Sequence, residues 1–306
     1  MTTNSSGSTM TRLYGLAMLL AICWPASADT DAHPVTMWSA QGVSNTIYLL
    51  GSIHMLREQD HPLPTAIDLA YDDAEVLIME LDMDDLDSIA TQQLFNESGV
   101  LRDGTTLRDL IGEESYRRAE EAAAANDIPL ELLASSEPWL AAITVEMLSL
   151  YRIGFNPMLG VEMTMLSRAV QDGKRIDGLE AIEEQLAFLD GLSLEAQRDM
   201  LLQTLEESAS MRESVDEMIR AWRYGDTAAL ESGLLDSFEG LDELSDALVG
   251  QRNRRWVSQI NDLLDDQDDY LVIVGALHLV GEAGVPRLLA QQGVKIKQLS
   301  EPATIR

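Results

Sequence analysis

Two short segments, one near each end of the chain, almost repeat each other. Residues 48–54 read Tyr-Leu-Leu-Gly-Ser-Ile-His, and residues 272–278 read Val-Ile-Val-Gly-Ala-Leu-His. Each pattern predicts a buried strand that ends in a glycine, where the backbone can turn and place the following His at the rim of a sheet. Because α/β proteins build their sites at the carboxyl ends of strands, we expect the two strands to be neighbours that bring His54 and His278 together.

The charge of the chain argues against one class of partner. Its 306 residues include 52 acidic and 21 basic side chains, which gives a net charge of −31. Such a surface repels phosphate backbones, so no nucleic acid is expected as a partner. The negative charge is better explained by solubility, or by adaptation to a salty medium, than by binding to one particular partner. A hydrophobic fraction of 46% is enough for a full core.

The first 28 residues predict a secretory signal peptide. A basic residue precedes an apolar run too short to span a bilayer, and Ala-Ser-Ala at 26–28 is a small-residue cleavage site. We therefore expect a periplasmic or secreted protein, with residues 29–306 forming one domain that contains no transmembrane segment. A lipoprotein anchor at Cys23 is disfavoured, because Ile22 in front of it is not small. Cleavage at the predicted site would leave no cysteine, and so neither a disulfide nor thiol catalysis.

Hydrophobic periodicity predicts strands near both ends of the chain and helices between them. Strands are expected at residues 36–40, 46–50, 75–81, 174–176, 270–275 and 294–299. Helices are expected at residues 62–73, 117–126, 138–151, 162–171, 179–189, 194–222, 251–264 and 285–292. The acidic, Gly-punctuated segment 236–246 predicts a loop. The fold class that follows is α/β with an α+β tendency: a single domain whose mixed sheet joins the N- and C-terminal strands, with a large helical insertion at about residues 85–265.

Three side chains form a candidate site: His54, Glu80 and His278. Each follows or ends a strongly apolar strand, and two imidazoles with one carboxylate can hold a divalent metal that keeps open positions and activates water. Without a metal, one His could act as general base on water while Glu80 orients it or accepts the other proton. A lone His after a strand is usually structural. The repetition of the pattern in two segments nevertheless favours a functional role for this pair of histidines. His33 and His61 show no such pattern.

Further candidates surround these three residues. Glu162 begins an otherwise apolar helix, where it could favour the helix N-terminus or point into the pocket as a ligand, a base or a substrate contact. Arg252, Asn253, Arg254 and Arg255 form the densest basic cluster of the chain. We expect Arg252 to stabilise an oxyanion or a carboxylate, Asn253 and Arg255 to bind substrate, and Arg254 to form surface salt bridges.

The combined motifs resemble those of the TraB/GumN family, which includes Tiki-type Wnt proteases and bacterial pheromone-shutdown proteins. The resemblance covers about residues 38–299 and rests on the paired Gly-x-x-His motifs, Glu80-Leu81-Asp82, Gly160-Val161-Glu162, Leu179-Glu180 followed by Gln185, and Arg252-Asn253 ahead of Gly275–Gly281. It implies a core similar to that of erythromycin esterases and ChaN-type haem-uptake proteins. It also implies a metal-dependent peptidase or related hydrolase, with His54, Glu80 and His278 as its central residues and Arg252 as its basic one. Tiki-type members are described as using manganese or cobalt, so a divalent metal (manganese, cobalt or zinc) is the expected cofactor.

Three functions follow from these residues and this resemblance. The first is a metal-dependent peptidase that cleaves a peptide or amide bond with water activated between two His and a Glu. The second is a binding module without turnover, in which the paired His grip haem iron or sequester a peptide. The third is an esterase-like hydrolase of peptide or small-molecule substrates that works without a metal, as the esterase relatives of the family do.

Overall fold

The computed structural model describes residues 32–302. The predicted signal peptide, with Cys23 and the cleavage site, lies outside the described residues. Within residues 32–302, no helix has both the length and the apolar character that a membrane crossing requires.

The strands of the described residues form one six-stranded mixed sheet. They are β1 (Pro34–Gln41), β2 (Thr46–Ser52), β3 (Val76–Leu81), β4 (Arg175–Glu180), β5 (Tyr270–Gly275) and β6 (Lys295–Ser300). The order across the sheet is β4-β3-β5-β2-β1-β6. The four strands from β4 to β2 run parallel, whereas β1 is antiparallel to both β2 and β6. The sheet therefore joins strands from both ends of the chain, and the predicted fold class is confirmed.

The two repeated segments are direct neighbours at the centre of this sheet. In the parallel pair of β2 and β5, Gly51 pairs with Val274 and Ser52 pairs with Gly275. All six residues of β5 are buried, as expected for an apolar strand covered on both faces. In the edge strand β6, exposed lysines alternate with partly buried residues. Charged side chains on an edge strand discourage pairing with strands of other molecules. The expected pairing of the two Gly-x-x-His segments is confirmed.

Helices occupy most of the chain between β3 and β5, with one more helix before β3 and one after β5. In chain order they are α1 (Thr65–Asp73), α2 (Ser88–Gly99), α3 (Leu107–Ile111), α4 (Glu113–Ala125), α5 (Pro138–Arg152), α6 (Val161–Asp172), α7 (Ile182–Asp190), α8 (Leu194–Glu207), α9 (Met211–Arg223), α10 (Thr227–Ser237), α11 (Asp242–Ser245), α12 (Gln251–Leu263) and α13 (Val285–Gln291). A π-helical turn, Asp246–Gly250, joins α11 to α12. A 3-10 turn, Ala276–Leu279, follows β5 and carries His278.

The buried apolar side chains form two clusters. One cluster surrounds the sheet, and the other lies among α3, α4, α5, α8 and α11, where it includes Leu107 and Leu201. Helix α5 contributes to both clusters. Its Val145 belongs to the helical cluster, while Met147 and Leu150 pack against the sheet cluster. Helix α5 therefore joins the layer formed by the helical insertion to the sheet.

One predicted boundary matters for the site. The pattern at residues 179–189 predicts a helix, but β4 runs as far as Glu180 because it pairs with β3 up to Leu81. Helix α7 begins only at Ile182. Pairing of β4 with β3 has therefore overridden the helical pattern of these residues. As a result, the acidic residue Glu180 lies at the carboxyl end of a strand.

Two other predicted segments differ from the structure. The helix predicted at residues 194–222 is two helices, α8 and α9. At the break, Ser208 donates to the carbonyl of Thr204 and Ser210 donates to the carbonyl of Glu207, so serine side chains compete with the backbone ladder. The predicted loop at 236–246 contains the short helix α11.

Candidate active site

Polar side chains meet at the edge of the sheet where the four parallel strands end. Strand β2 leads into Ser52 and His54, β3 carries Glu80 at its end, β4 ends at Glu180, and the turn after β5 carries His278. Because parallel strands have their carboxyl ends at one edge, these side chains come from distant segments to one place. The structure therefore brings His54, Glu80 and His278 together and adds Glu180 to them.

His54 is the most accessible of these side chains, and Glu162 anchors it. The two groups meet at 2.6 Å, His54 Nδ1 to Glu162 Oε1, and Ser52 Oγ donates to the same oxygen. The His54 side chain is 66% exposed and that of Glu162 is 12% exposed. The negative charge of Glu162 raises the pKa of His54 to about 10. Burial raises the pKa of Glu162, but His54 more than offsets this, so the pair is ionised at neutral pH.

The backbone of the His54 segment packs tightly on the start of α6. Val161 N–H donates to the carbonyl of Ile53 at 3.1 Å. A Cβ at Gly160 would lie 2.1 Å from the carbonyl oxygen of His54, closer than any side chain allows. Glycine at this position therefore permits the approach that places Glu162 beside the imidazole.

Glu80 is an anion held by donors on both of its oxygens. Oε1 accepts a hydrogen bond from the backbone N–H of Gly275 at 2.8 Å, and Oε2 accepts one from Arg252. Burial alone would raise the pKa of Glu80. The neighbouring His278, His54 and Arg252 and the Gly275 amide all favour the anion and lower that pKa to about 2. Glu80 is therefore ionised throughout the physiological pH range.

Arg252 is buried, and all five of its N–H groups bind within the protein. Nε donates to Glu180 at 2.9 Å, and Nη2 donates to both Glu180 and Glu80. Nη1 donates to the carbonyl of Leu248 and to Nε2 of His278, each at 3.2 Å. The Leu248 carbonyl lies in the π-helical turn one turn before Arg252. Arg252 thus orients its neighbours and has no N–H left for a substrate.

His278 is buried and neutral. Asn253 Nδ2 donates to the carbonyls of His278 and Ala283, so its Oδ1 faces His278 Nδ1 at 2.7 Å and accepts the ring proton there. The lone pair of His278 Nε2 is therefore the acceptor for Arg252. The ring also packs on Trp256, with 4.4 Å between centroids. Burial lowers the pKa of His278 to about 3.

The three predicted residues converge above Gly275. A Cβ at this glycine would lie 3.4 Å from both His54 Nε2 and Glu80 Oε1, and 3.6 Å from Cδ2 of His278. The backbone φ of −50° suits any residue, so glycine provides space here and not a special conformation. A gap of atomic size thus separates an imidazolium from a carboxylate.

Filling this gap should abolish the hydrolysis that the sequence predicts, without unfolding the protein. In Gly275→Ala the added methyl makes only ordinary contacts with the three side chains, so we expect the free energy of unfolding to change by about 1 kcal/mol or less. Turnover should fall at least tenfold, because the methyl occupies the space between His54 and Glu80. Gly233→Ala, on α10 with no neighbouring atoms within 4 Å, is the matched control. Full turnover in Gly275→Ala would show that the gap is not where the reaction occurs.

The donor set does not fit a divalent metal. Among residues 32–302, no group of three or more His, Cys, Asp or Glu side chains is arranged to hold a metal ion. Arg252 donates both to His278 Nε2 and to Glu80, so a permanent cation lies between two of the three predicted ligands. A divalent ion placed there would be repelled by the guanidinium, and the Nε2 lone pair of His278 already accepts a hydrogen bond from Arg252.

The predicted substrate-binding residues bind protein groups in this structure. Glu162 holds the exposed imidazole, as described above. Asn253 is fully buried, and both polar atoms of its side chain are engaged. Arg255 donates to Glu180 at 3.0 Å and to Glu184 at 2.9 Å. Their roles in substrate binding stay predictions, whereas their contacts orient the residues around the gap.

Sequence reasoning did not assign Ser52, Glu180 or Gln185 to the site. Gln185 donates to Glu180 at 2.9 Å and lies 3.4 Å from Glu80, so it joins the same network. The predicted helix at 179–189 conceals Glu180. The signal that could reveal it is the Leu179-Glu180 motif followed by Gln185, one of the motifs on which the family resemblance rests.

The sequence matches known proteins over most of its length. The model of the TraB/PrgY/gumN family matches residues 36–298. The chain belongs to this family. It is similar to the uncharacterized protein YbaP of Escherichia coli (strain K12) and of Shigella flexneri, with 27% identity over 247 residues in each case, which is 79% of this chain and 87% of each relative. No solved structure matches the chain.

The TraB/PrgY/gumN match contains the whole candidate site. The matched range, 36–298, includes every residue described above, from Ser52 to His278. The sheet edge, the Gly275 gap and the buried ion pairs around it therefore lie in the family domain and not in a segment outside it.

Proposed function

We propose that this protein hydrolyses a peptide or amide bond with water held between His54 and Glu80. The observation that carries the proposal is the opposite charge of these two side chains, a cation and an anion, on either side of the gap above Gly275. Residues 1–28 predict a signal peptide, so we place the reaction in the periplasm or outside the cell.

The two charges suit the two proton transfers of amide hydrolysis. Glu80 accepts a proton from water as the water oxygen attacks the carbonyl carbon. The Nε2–H of His54 donates to the carbonyl oxygen as negative charge develops there, and its proton then goes to the leaving nitrogen as the C–N bond breaks. The proton on Glu80 returns to His54 through solvent, which restores both charges.

Arg252 acts through Glu80 in this proposal, and His278 acts through Arg252. The sequence suggests that Arg252 stabilises the developing oxyanion, but all five N–H groups of Arg252 are used by the protein. His278 is 4% exposed and neutral. Arg252 therefore holds Glu80 in its ionised form and orientation, while His278 accepts a hydrogen bond from Arg252 and helps to orient the guanidinium. We assign both residues positioning roles.

The geometry favours the metal-independent version of the hydrolase. Each step above uses a group of the protein or water, and the donor set around Gly275 does not fit a divalent ion. Haem binding is also disfavoured, because the Nε2 lone pair of His278 accepts a hydrogen bond from Arg252 and is not available to iron.

Chelation separates the two versions of the hydrolase. Purified protein should be assayed on a panel of fluorogenic peptides, amides and esters, before and after exhaustive treatment with EDTA. We expect hydrolysis of at least one class of substrate and no loss of rate after chelation. Loss of activity that manganese, cobalt or zinc restores would contradict the metal-independent mechanism, and no hydrolysis of any substrate would contradict the hydrolase itself.

A further inference from the structure

Ser52 carries a buried hydroxyl on the strand that leads to His54. The residue is 2% exposed, and its backbone pairs with Gly275 between β2 and β5. The strand is held at the preceding residue, because Trp222 Nε1 donates to the carbonyl of Gly51 at 2.6 Å. Ser52 therefore has a fixed place beside the strand end that carries the gap, and its side chain is out of reach of a substrate.

The hydroxyl of Ser52 donates to the carboxylate oxygen that also holds His54. Ser52 Oγ and His54 Nδ1 both bind Glu162 Oε1, His54 at 2.6 Å. Within residues 32–302, Glu162 Oε2 is buried and has no hydrogen-bond partner. A carboxylate that could rotate freely would share two donors between its two oxygens. Both donors on one oxygen therefore define the orientation of the carboxylate, and the unsatisfied Oε2 is an energetic cost of that orientation.

The orientation of this carboxylate decides where the imidazole of His54 points. Glu162 holds the ring through Nδ1, and the other nitrogen, Nε2, lies 3.4 Å from the place that a Cβ at Gly275 would occupy. Because the His54 side chain is exposed, packing restrains it little. A rotation of the Glu162 carboxylate would carry Nδ1 with it and turn Nε2 away from the gap. Hydrogen bonds behind a reacting group commonly fix its direction in this way.

The second Gly-x-x-His segment indicates that the glycine turn does not require a hydroxyl. Ala276 follows Gly275 as Ser52 follows Gly51. In that segment His278 is supported by Asn253 on α12 and not by a carboxylate. A serine at position 52 is therefore explained by its contact with Glu162 and not by the course of the backbone.

We infer that Ser52 is a positioning residue, whose hydroxyl fixes the carboxylate of Glu162 and thereby the direction in which His54 Nε2–H points into the gap above Gly275. This role rests on the proposed function and extends its proton-donating group from His54 to three side chains. Ser52 is suited to the role because it supplies a donor without a charge. The negative charge of Glu162 is therefore left to the imidazolium, with which it forms the stronger, charge-assisted hydrogen bond.

Three variants of Ser52 separate hydrogen bonding from packing. Ser52→Ala removes the donor, Ser52→Cys keeps a weak one, and Ser52→Thr keeps the hydroxyl and adds a methyl. We expect kcat to follow donor strength, with a loss of roughly 10- to 100-fold in Ser52→Ala, a smaller loss in Ser52→Cys and the smallest in Ser52→Thr. KM should keep its wild-type value, because Ser52 is buried. Ser149→Ala, which removes a buried hydroxyl from α5, is the matched control and should keep the wild-type kcat.

A second measurement needs no substrate. NMR of the ¹⁵N-labelled protein follows the exchange of the His54 Nδ1 proton with water, and His54→Asn identifies its signal. We expect this proton to exchange about tenfold faster in Ser52→Ala than in wild type, since one hydrogen bond that holds its acceptor is lost. Ser149→Ala should leave the exchange rate unchanged. Urea unfolding shows which variants are folded, and Ser52→Cys takes the place of Ser52→Ala if the latter is not.

The outcomes separate the role of Ser52 from the proposed function. If wild type hydrolyses no substrate, the hydrolase proposal fails, and the exchange measurement still decides whether Ser52 holds the pair of Glu162 and His54. If Ser52→Ala has the kcat and the exchange rate of wild type, the positioning role is wrong and the hydrolase stands. A lower kcat in Ser52→Thr than in Ser52→Cys would assign the effect to packing, and an increase in KM alone would make Ser52 a substrate contact. Either result would overturn the positioning role.

Discussion

Replacing Arg252 with Met should lower the free energy of unfolding by about 3–5 kcal/mol. Arg252 is the common partner of Glu80 and Glu180, whose side chains are 12% and 1% exposed. Without the guanidinium, two carboxylates stay buried beside each other with too few donors. Met keeps an apolar stem but lacks the guanidinium, whose carbon lies 4.6 Å from the centroid of the Trp256 ring, so the loss reports charge, hydrogen bonding and this cation–π contact. Urea unfolding of both proteins at neutral pH measures the difference.

A neighbouring arginine provides the matched control. Arg254, on the same helix, pairs with Asp246, and both side chains are more than half exposed. Arg254→Met should therefore cost less than about 1 kcal/mol. Adding Glu180→Gln to Arg252→Met should recover part of the lost stability, because it removes one of the two neighbouring buried charges. Equal destabilisation by Arg252→Met and Arg254→Met would contradict the central place of Arg252 in the buried network.

Replacing His54 with Asn should lower kcat by roughly 10²- to 10⁴-fold, the usual contribution of one acid–base group. The amide nitrogen of Asn can take the place of Nδ1 and keep a hydrogen bond to Glu162, but nothing replaces Nε2–H at the gap. Stability should change little, since the His54 side chain is 66% exposed. Steady-state kinetics on the best substrate of the panel gives the measurement. His33→Asn, at a partly exposed position just before β1, is the control and should keep the wild-type rate.

The pH profile tests the role of His54 as a proton donor. In the proposed mechanism the imidazolium of His54 is the active form, and its pKa is raised to about 10. Activity should therefore persist through neutral pH and fall as pH rises through the pKa of His54. Glu80 has the opposite sign: its lowered pKa of about 2 keeps it ionised until strongly acid pH. In His54→Asn the alkaline decrease should disappear. A wild-type rate that instead increases through this alkaline range would make neutral His54 a general base and contradict the donor role.

The central part of the fold could be predicted from local patterns alone. The sequence predicts strand β5 at residues 270–275, and the structure has it there. An unbroken apolar run between a polar turn and a glycine is typical of a strand that is buried on both faces of a sheet. Its likeness to β2 then indicated that the two strands pair. The same local patterns were wrong at residues 179–189, where pairing with β3 extends β4 to Glu180. When pairing with a strand far away in the sequence decides where a strand ends, the residues near that end carry no pattern that predicts it.

For the candidate site, too, the sequence predicts one part and only the folded structure decides the other. Residue type and position at the ends of strands were sufficient to select His54, Glu80 and His278. The direction of each hydrogen bond was not available from the sequence, and it is this direction that gives Arg252 a positioning role and makes Asn253 a support for His278.

The amino-acid order alone is thus enough to predict an α/β domain whose central strands carry two histidines and a glutamate to one sheet edge. Which of these groups is charged, which has a free N–H and which faces solvent depends on contacts across the fold, such as those of Glu162 with His54 and of Arg252 with Glu80, 108 and 172 residues apart. Charge and burial act over a few ångströms of space, and the chain brings those residues within that distance only when it folds.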